Sequence, residues 1–360
     1  MNPLSRKNKT FRSFFLALMI CVLAGCSTGP TVMYYTPDGG GVREIFWPPT
    51  PETPRYRLAG VLQGEQNFGR SEQSQPSTGE RVFRWLVGLG AKLRKPRELV
   101  RPQTGMVDDK GRIYVTDVGR PAVFVFDEPL GKLYIWNQTD DFGEFESPIG
   151  IAPGSSGEIL VADSALARIV RLDTDGNPLG SFGRELLQRP TGLARNPATG
   201  EIYVADTAEH DIKVFTGDGR FIRKLGRRGT APGEFNAPTH LAFANGNLYV
   251  TDTLNNRVQV LSADGQPVHS IGQRGLYVGN FTRPKGVTAD TKGNVYVVES
   301  YYDHLLIFDA AGQFLLPIGG TGSAIGEFYL PAGTWTDARG RVYVADMFNG
   351  RVVIFQSLGI

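Results

Sequence analysis

The sequence predicts an all-β fold, a six-bladed β-propeller of four-stranded antiparallel blades. Three observations predict it. Glycine and proline are abundant, 45 and 23 of 360 residues, beside many β-branched and aromatic residues, which is typical of short strands joined by turns. A five-residue apolar phrase, usually containing Tyr-Val and ending in an acidic residue, recurs six times. The copies lie 43 to 47 residues apart, the period of a propeller with one blade per repeat.

Each copy carries the same parts in the same order. A proline step opens the copy, an apolar strand and a glycine turn follow, and the second strand ends at the acid. A third strand, a turn and a fourth strand complete it. The turn is often Asp-Gly, as at 175–176 and 218–219, which suits a tight hairpin because both residues tolerate positive φ. The six acids are Asp117, Asp163, Asp206, Asp252, Glu299 and Asp346.

The last copy lacks its fourth strand, because only Ser357 to Ile360 follow its third. The missing piece matches the stretch RYRLAG at 55–60, which stands some forty residues before the first complete copy. We therefore predict that residues 54–62 supply the outer strand of the last blade and close the ring. Closure leaves no blade interface open to water.

The repeats resemble the NHL repeat over residues 54–62 and 99–356. The resemblance rests on the Pro-x-Gly step, the Tyr-Val-x-Asp strand, the Asn-x-Arg step in DTLNNRVQV and DMFNGRVVI, and a Gly-Glu-Phe linker at 143–145, 233–235 and 326–328. It implies a propeller fold and says little about function, since propellers host many functions.

The N-terminus predicts an export signal. Basic residues at positions 6, 7, 9 and 12 precede a short apolar run, and the run ends in Leu-Ala-Gly-Cys at 23–26. This tetrapeptide resembles the lipobox of bacterial lipoproteins, which implies cleavage before Cys26 and lipidation of that residue. Ser27 after the cysteine, rather than Asp, favours the outer membrane of a bacterial envelope.

The predicted organisation follows from these segments. Residues 1–25 form the lipoprotein signal peptide and 26–53 a lipidated tether. Residues 54–98 hold the ring-closing strand, a flexible loop and a short helix at 81–93, and 99–360 hold the six blades. Loss of 1–25 with its four basic residues changes the net charge from +2 to −2, so we expect no nucleic-acid partner.

In a propeller the first strands line the central channel. One face of the propeller, named here the linker face, carries the starts of the first strands, the linkers between blades and the loops between second and third strands. The hairpin turns lie on the opposite face, named here the hairpin face. On the linker face the six acids suggest a ring of metal ligands. Because the acid recurs in every blade, we instead interpret the six acids as acceptors of backbone N–H hydrogen bonds within their own blades. The recurring Arg168, Arg257 and Arg351 are likewise interpreted as structural residues.

Metal chemistry remains an alternative. His210, His240 and His304 fall on neighbouring blades, whereas His269 lies in an outer strand. The lyase domain of peptidylglycine α-amidating enzyme is similar in fold and holds zinc through Pro-His steps, and only His240 matches such a step here. Calcium-dependent propeller lactonases need carboxylates in the channel, but the acids of the first strands, Asp108, Asp109, Asp290 and Asp337, come at the turn end. We expect no cofactor, with Ca²⁺ and Zn²⁺ left open and His240 as the candidate ligand.

A non-catalytic function is the leading prediction: an envelope-anchored scaffold that binds a protein, peptide or glycan at the membrane surface. An envelope electron-transfer complex is one conceivable partner, and the alternative is a metal-dependent hydrolase or lyase at the channel mouth. The predicted contact is an apolar patch on the linker face of blades 4 to 6, together with a basic cluster that includes Arg220. The candidate contact residues are Tyr277, Tyr301, Tyr302, Met347, Phe348, Arg223, Lys224, Arg227 and Arg228.

Overall fold

Strand-forming repeats separated by turns produce six four-stranded antiparallel sheets. The computed structural model describes residues 31–36, 44–70, 95–140 and 143–359. Contacts divide the chain into two units, and the blades belong to the one formed by residues 33–69 and 95–360. Of the other unit, 1–32 and 70–94, the structure describes only residues 31, 32 and 70. Cys26, the signal peptide and the predicted helix at 81–93 lie outside the described residues.

The strands of blades 1 to 3 follow the predicted order. Blade 1 comprises β5 (Pro102–Val107), β6 (Ile113–Asp117), β7 (Ala122–Asp127) and β8 (Lys132–Trp136). Blade 2 comprises β9 (Pro148–Pro153), β10 (Ile159–Asp163), β11 (Arg168–Leu172) and β12 (Pro178–Phe182). Blade 3 comprises β13 (Pro190–Arg195), β14 (Ile202–Asp206), β15 (Asp211–Phe215) and β16 (Phe221–Leu225).

Blades 4 to 6 repeat this arrangement. Blade 4 comprises β17 (Pro238–Ala244), β18 (Asn247–Asp252), β19 (Arg257–Ser262) and β20 (Pro267–Ile271). Blade 5 comprises β21 (Pro284–Ala289), β22 (Val295–Glu299), β23 (His304–Phe308) and β24 (Phe314–Gly319). Blade 6 contains β25 (Thr334–Thr336), β26 (Arg341–Asp346) and β27 (Arg351–Ser357). The first strands contact one another in a closed cycle, β5 to β9, β13, β17, β21, β25 and back to β5.

The N-terminal segment closes the ring as predicted. Strand β3 (Tyr56–Leu62) pairs antiparallel with β27, with Val353 opposite Val61 and Ile354 opposite Gly60. Strand β2 (Phe46–Trp47) then pairs with β3, so blade 6 has five strands. The sequence prediction placed this pair in the tether. Trp47 joins the sheet because its ring packs edge-on against the buried ring of Phe355, 5.1 Å between centroids.

Shorter elements complete the described structure. Strand β1 (Thr31–Met33) pairs with β4 (Phe68–Arg70) in a two-stranded sheet. Single 3₁₀ turns occur at Glu65–Asn67, Ser155–Gly157, Thr253–Asn255 and Met347–Asn349. No helix in the described ranges is long and apolar enough to span a membrane.

The core lies between adjacent blades. The second strand of every blade is almost fully buried, and the tyrosines of the Tyr-Val phrase are among its largest side chains. The linker phenylalanines, Phe145, Phe235, Phe281 and Phe328, are also buried. The Gly-Glu-Phe resemblance thus has a physical basis, since the aromatic ring anchors each linker between two blades.

Glycine in the proline step allows the first strands to approach closely. A Cβ added to Gly192 would lie 2.7 Å from the carbonyl oxygen of Thr239 in blade 4. A Cβ added to Gly286 would lie 2.5 Å from the backbone nitrogen of Thr334 in blade 6. At these two positions neighbouring strands therefore pack backbone to backbone, and only a residue without a side chain fits there.

Candidate functional site

The six acids perform the structural task that the sequence analysis favoured. Both carboxylate oxygens of Asp117 accept hydrogen bonds from backbone N–H groups of the incoming linker, at Val100 and Arg101. Asp163 accepts from Glu146 and Ser147 in the same way. Corresponding bonds reach Asp206, Asp252, Glu299 and Asp346. The acids thus fasten each linker to its own blade, which confirms the predicted role.

Two of the three recurring arginines reinforce these acids. Arg257 Nε lies 2.9 Å from Asp252, and Arg351 Nε lies 2.7 Å from Asp346. Arg168 differs, because its guanidinium pairs at 2.6 Å with Asp140 of the preceding linker rather than with Asp163. All three remain structural ion pairs at the base of a linker.

The acids at the turn ends of the first strands accept hydrogen bonds from their own hairpin turns. Asp337 accepts backbone N–H groups of its turn, the guanidinium of Arg341 and the hydroxyl of Tyr343 at 2.9 Å. Asp108 repeats this set with Arg112, and Asp290 accepts from the side-chain amide of Asn294 instead of a guanidinium. Each also accepts a hydroxyl from the buried tyrosine six residues later. The repeated Asp–Tyr contact pins the second strand to the turn.

The histidines do not form a ligand set. His210 Nδ1 accepts the backbone N–H of Ala237 at 2.9 Å, so this ring fastens a linker. His304 lines a surface groove in blade 5, and His269 lies in outer strand β20. Within the described ranges, no three residues among His, Cys, Asp and Glu are grouped as metal ligands.

His240 lies in the central channel, where it lines a cavity of about 80 Å³. Its Nδ1 is 3.1 Å from the hydroxyl of Thr239, and its buried Nε2 has no hydrogen-bond partner in the described structure. Burial, and then the positive charge of Lys285, lower the pKa of His240 to about 3. The imidazole is therefore neutral at pH 7.

The basic cluster of blade 3 is largely neutralised. Arg223 pairs with Glu201 at 2.6 Å, and Arg227 pairs with Glu234 at 2.9 Å. Arg220 pairs with Asp218, and the Nζ of Lys224 lies 3.9 Å from Asp211. Among these predicted contact residues only Arg228 has no ion pair within the described part of the chain. The cluster therefore presents far less free charge than the sequence suggests.

The aromatic residues of blades 4 and 5 form a groove on the linker face, named here the tyrosine groove. Tyr277 and Tyr302 both line a cavity of about 240 Å³, and Tyr301 packs edge-on against Tyr302 with 4.9 Å between ring centroids. Tyr277 is 84% exposed. The structure thus brings three of the predicted contact residues together.

Phe348 belongs to a second, separate cluster. Its ring packs edge-on against Tyr329 with 5.6 Å between centroids, and the guanidinium of Arg101 lies 5.5 Å from the ring of Phe348. Met347 is only partly exposed, because its sulfur accepts a hydrogen bond from the side-chain amide of Gln103. Met347 therefore contributes more to packing than to the exposed surface.

Sequence reasoning missed Leu276 and Val278, which flank Tyr277 and are 79% and 57% exposed. The linkers before blades 4 and 6 read Thr-Ala-Pro and Ser-Ala-Ile at the equivalent positions. The sequence signal available for these residues was three consecutive apolar residues in a linker whose other copies contain mainly small or polar residues at these positions. Tyr329 is half-exposed beside Phe348. It was missed because it is not part of any recurring motif of the repeat.

Comparisons with known proteins agree with this architecture. A family described as a 6-bladed β-propeller matches residues 196–243. NHL-repeat-containing protein 4 of Homo sapiens is 33% identical over 90 residues, which span 25% of this chain and 68% of that protein.

Two solved structures show the same fold at low identity. Virginiamycin B lyase from Staphylococcus aureus is 14% identical with a TM-score of 0.51, covering 72% of this chain and 96% of the lyase. A gluconolactonase from Xanthomonas campestris is 16% identical with a TM-score of 0.55, covering 72% and 86%. The repeat features, the closed ring of six blades and the human relative lead to one conclusion: this chain belongs to the NHL-repeat family and is a six-bladed β-propeller.

Proposed function

We propose that this chain is a lipid-anchored binding propeller of a bacterial envelope, which holds a protein partner at the membrane surface. The observation that supports binding is the tyrosine groove on the linker face. Leu276, Tyr277 and Val278 line it and are exposed, and the partly buried Tyr302 also lines it. Exposed aromatic and aliphatic side chains of this density mark protein contact sites.

The groove has the composition of an interface core with a polar rim. His304 and Thr321 line it beside the tyrosines, and the exposed Arg274 lies in the same linker. Tyrosines contribute large contact areas at low entropic cost and keep a hydroxyl for hydrogen bonding. An extended apolar segment of a partner fits this arrangement better than a highly charged one.

The anchoring part of the proposal rests on the N-terminal sequence. The apolar run and the Leu-Ala-Gly-Cys motif support acylation of Cys26. Several acyl chains would hold the propeller firmly at a membrane. Fractionation of cells that express the chain tests this: the protein should follow the membranes, and Cys26→Ser should release it. Equal membrane association of both would contradict the anchor.

Site-specific photo-crosslinking in cells tests the groove. A photoreactive residue at position 277 should give one discrete adduct, and the same residue at position 268 should not. Val268 is a matched control because it is 56% exposed on the outer strand of the same region. Tyr302→Ser should weaken the adduct at 277 while leaving thermal unfolding nearly unchanged. Identical adduct patterns at both positions would remove the groove from the interface.

A metal-dependent hydrolase or lyase at the channel mouth is the second candidate. The observation that favours it is the neutral His240, whose Nε2 lacks a partner in the described structure. Elemental analysis of protein purified without chelators tests it. Stoichiometric zinc or calcium that is lost in His240→Gly would support this candidate, and metal-free protein would leave the binding function ahead.

A further inference from the structure

The segment that follows the predicted lipid attachment site is fastened to the hairpin face. The carbonyl oxygen of Tyr35 accepts the backbone N–H of Val61 at 2.7 Å, and its hydroxyl donates to Glu128 at 2.8 Å. The guanidinium of Arg341 lies 5.3 Å from the centroid of the Tyr35 ring. Glu128 belongs to a hairpin turn of blade 1, and Arg341 directly follows a hairpin turn of blade 6. The N-terminal segment therefore joins the propeller at the hairpin turns of these two blades.

This attachment leaves little free chain before the propeller. Met33 and Tyr35 already pack on the core formed by blades 6 and 1, so only residues 27–32 separate Cys26 from Met33. An extended chain advances by about 3.5 Å per residue, so the segment spans at most about 25 Å. Acylation of Cys26 would therefore hold the hairpin turns of blades 6 and 1 close to the bilayer.

Charge distinguishes the two halves of the hairpin face. The one cation in the turns of blades 2 to 4, Arg220, pairs with Asp218. In the turns of blades 1 and 5, by contrast, Lys110 and Lys292 form no ion pair within the described part of the chain. Carboxylates without an ion pair occur in the turns of blades 2 to 4 at Asp173, Asp175 and Asp264. An anionic bilayer is therefore better matched by the half of the face that contains blades 5, 6 and 1.

A cavity of about 100 Å³ lies in this half, between the outer strand of blade 5 and the closing strand of blade 6. Arg55 and Lys292 both line it, and both are exposed. Neither of them forms an ion pair within the described ranges. The apolar side chains that line the cavity are Tyr56, Ile307, Leu315 and Leu316. Two unpaired cations beside an apolar surface suit an anion that carries an apolar group.

We propose that this cavity binds the headgroup of an anionic phospholipid in the membrane that holds the anchor, so the proposal rests on the acylation of Cys26 in the proposed function. The lipid phosphate contacts the Arg55 guanidinium and the Lys292 ammonium, because both long side chains reach the same small cavity. The glycerol carbons and the start of an acyl chain contact Leu315 and Leu316. The hairpin face is then turned toward the bilayer, and the tyrosine groove on the linker face points away from it toward the partner.

Fluorescence quenching in reconstituted vesicles tests this orientation. The acylated protein has no free thiol, because Cys21 is removed with the signal peptide and Cys26 is lipidated, so one introduced cysteine can be labelled. Ala311→Cys and Asp175→Cys are matched, since both positions are exposed and both occupy the same place in the turn between third and fourth strands. With a quencher on lipid headgroups, the label at 311 in blade 5 should be quenched in vesicles that contain phosphatidylglycerol, and the label at 175 in blade 2 should not.

Charge-removing variants test the two cations. A cation beside an anionic surface typically contributes about fivefold to binding. Arg55→Gln and Lys292→Gln should each reduce the quenching at 311, and the double variant should lower it to the level seen in phosphatidylcholine alone. The pair Lys224→Gln and Arg228→Gln removes the same charge from exposed sites in blade 3 and should leave the quenching unchanged. Thermal unfolding should be the same in both double variants, which shows that the ring is intact.

Inorganic phosphate distinguishes a lipid from a soluble anion. A melting temperature that rises with millimolar phosphate in the wild type but not in the double variant, without quenching at 311, would assign the cavity to a soluble anion and overturn the lipid site. Equal quenching at 311 and 175 would overturn the orientation. Protein that floats with the vesicles but shows no quenching at 311 overturns this proposal alone. Protein that floats with no vesicle overturns the anchor of the proposed function and the lipid site with it.

Discussion

The hydroxyl of Tyr56 lies 3.1 Å from the hydroxyl of Tyr296, across a sequence separation of 240 residues. Tyr296 donates its own hydrogen to Asp290, so it accepts from Tyr56. The two rings also pack edge-on, 6.2 Å between centroids. Strand β3 is thereby joined not only to β27 but also to blade 5, and ring closure buries polar as well as apolar groups.

Deletion of Arg55–Leu62 should destabilise the whole ring. Leu58, Val61 and Leu62 are buried, and their loss would expose both β27 and the face of blade 5. We expect a loss of more than about 5 kcal/mol in the free energy of unfolding, from several buried side chains together. Chemical denaturation measures it. Trp47→Ala is the control, since it removes the packing of β2 on Phe355 but leaves β3 paired with β27. An equal loss in both variants would contradict the closure role.

The linker phenylalanines should be far more important for stability than those on outer strands. Phe281 and Phe314 both pack against Phe308, at 5.6 and 5.7 Å between centroids, but Phe281 is fully buried whereas Phe314 is 39% exposed. Phe281→Ala should cost about 3–5 kcal/mol, and Phe314→Ala about 1 kcal/mol. Urea denaturation of the two variants measures the difference. Equal costs would mean that the linkers do not anchor the blades.

His210 should be replaceable by aspartate but not by alanine. The Nδ1 of His210 accepts the backbone N–H of Ala237. Two blades further along the chain, the carboxylate of Asp303 accepts the backbone N–H of Leu330 in the same way. Both residues have positive φ, which Asp tolerates better than Ala does. His210→Ala should lower stability by about 1–2 kcal/mol, and His210→Asp by less than half of that. A smaller loss in the alanine variant would exclude the fastening role.

Lys285 should make stability rise with pH in the alkaline range. Burial lowers its pKa from 10.5 to about 8, so between these pH values the unfolded chain holds a proton that the folded chain has released. Stability relative to Lys285→Thr should therefore increase between about pH 8 and 10.5. Denaturation midpoints of both proteins at several pH values test this. A pH-independent difference between wild type and Lys285→Thr would contradict the role of burial.

The repeat made most of the fold predictable. The six copies of one phrase indicate where each blade begins and ends. The missing fourth strand of the last copy indicates that another segment must close the ring. The recurrence of the acid in every copy favours a structural role for the acids. Strand β2 escaped prediction because two residues, Phe46 and Trp47, have no periodic pattern. The position of these two residues depends on tertiary structure, because they pair with the outer edge of β3, which is otherwise unpaired in blade 6.

The candidate sites were predictable only in part. Tyr277, Tyr301 and Tyr302 stand out as aromatics in loops, and the structure brings them together. The charges of Arg223 and Arg227 looked free because their partners, Glu201 and Glu234, are not adjacent in sequence but 22 and 7 residues away. Met347 looked exposed because Gln103 comes from the opposite end of the propeller sequence.

By itself, the sequence determined the six-bladed propeller, its closure by an early strand and its membership of the NHL-repeat family. These properties repeat with a constant period, and local patterns of turns and apolar residues are enough to specify each blade. Only the tertiary structure decided that His240 and Trp335, from two different blades, line the same cavity in the channel. Closing the ring brings the starts of all first strands to one axis, and residues that are distant in the chain become neighbours there.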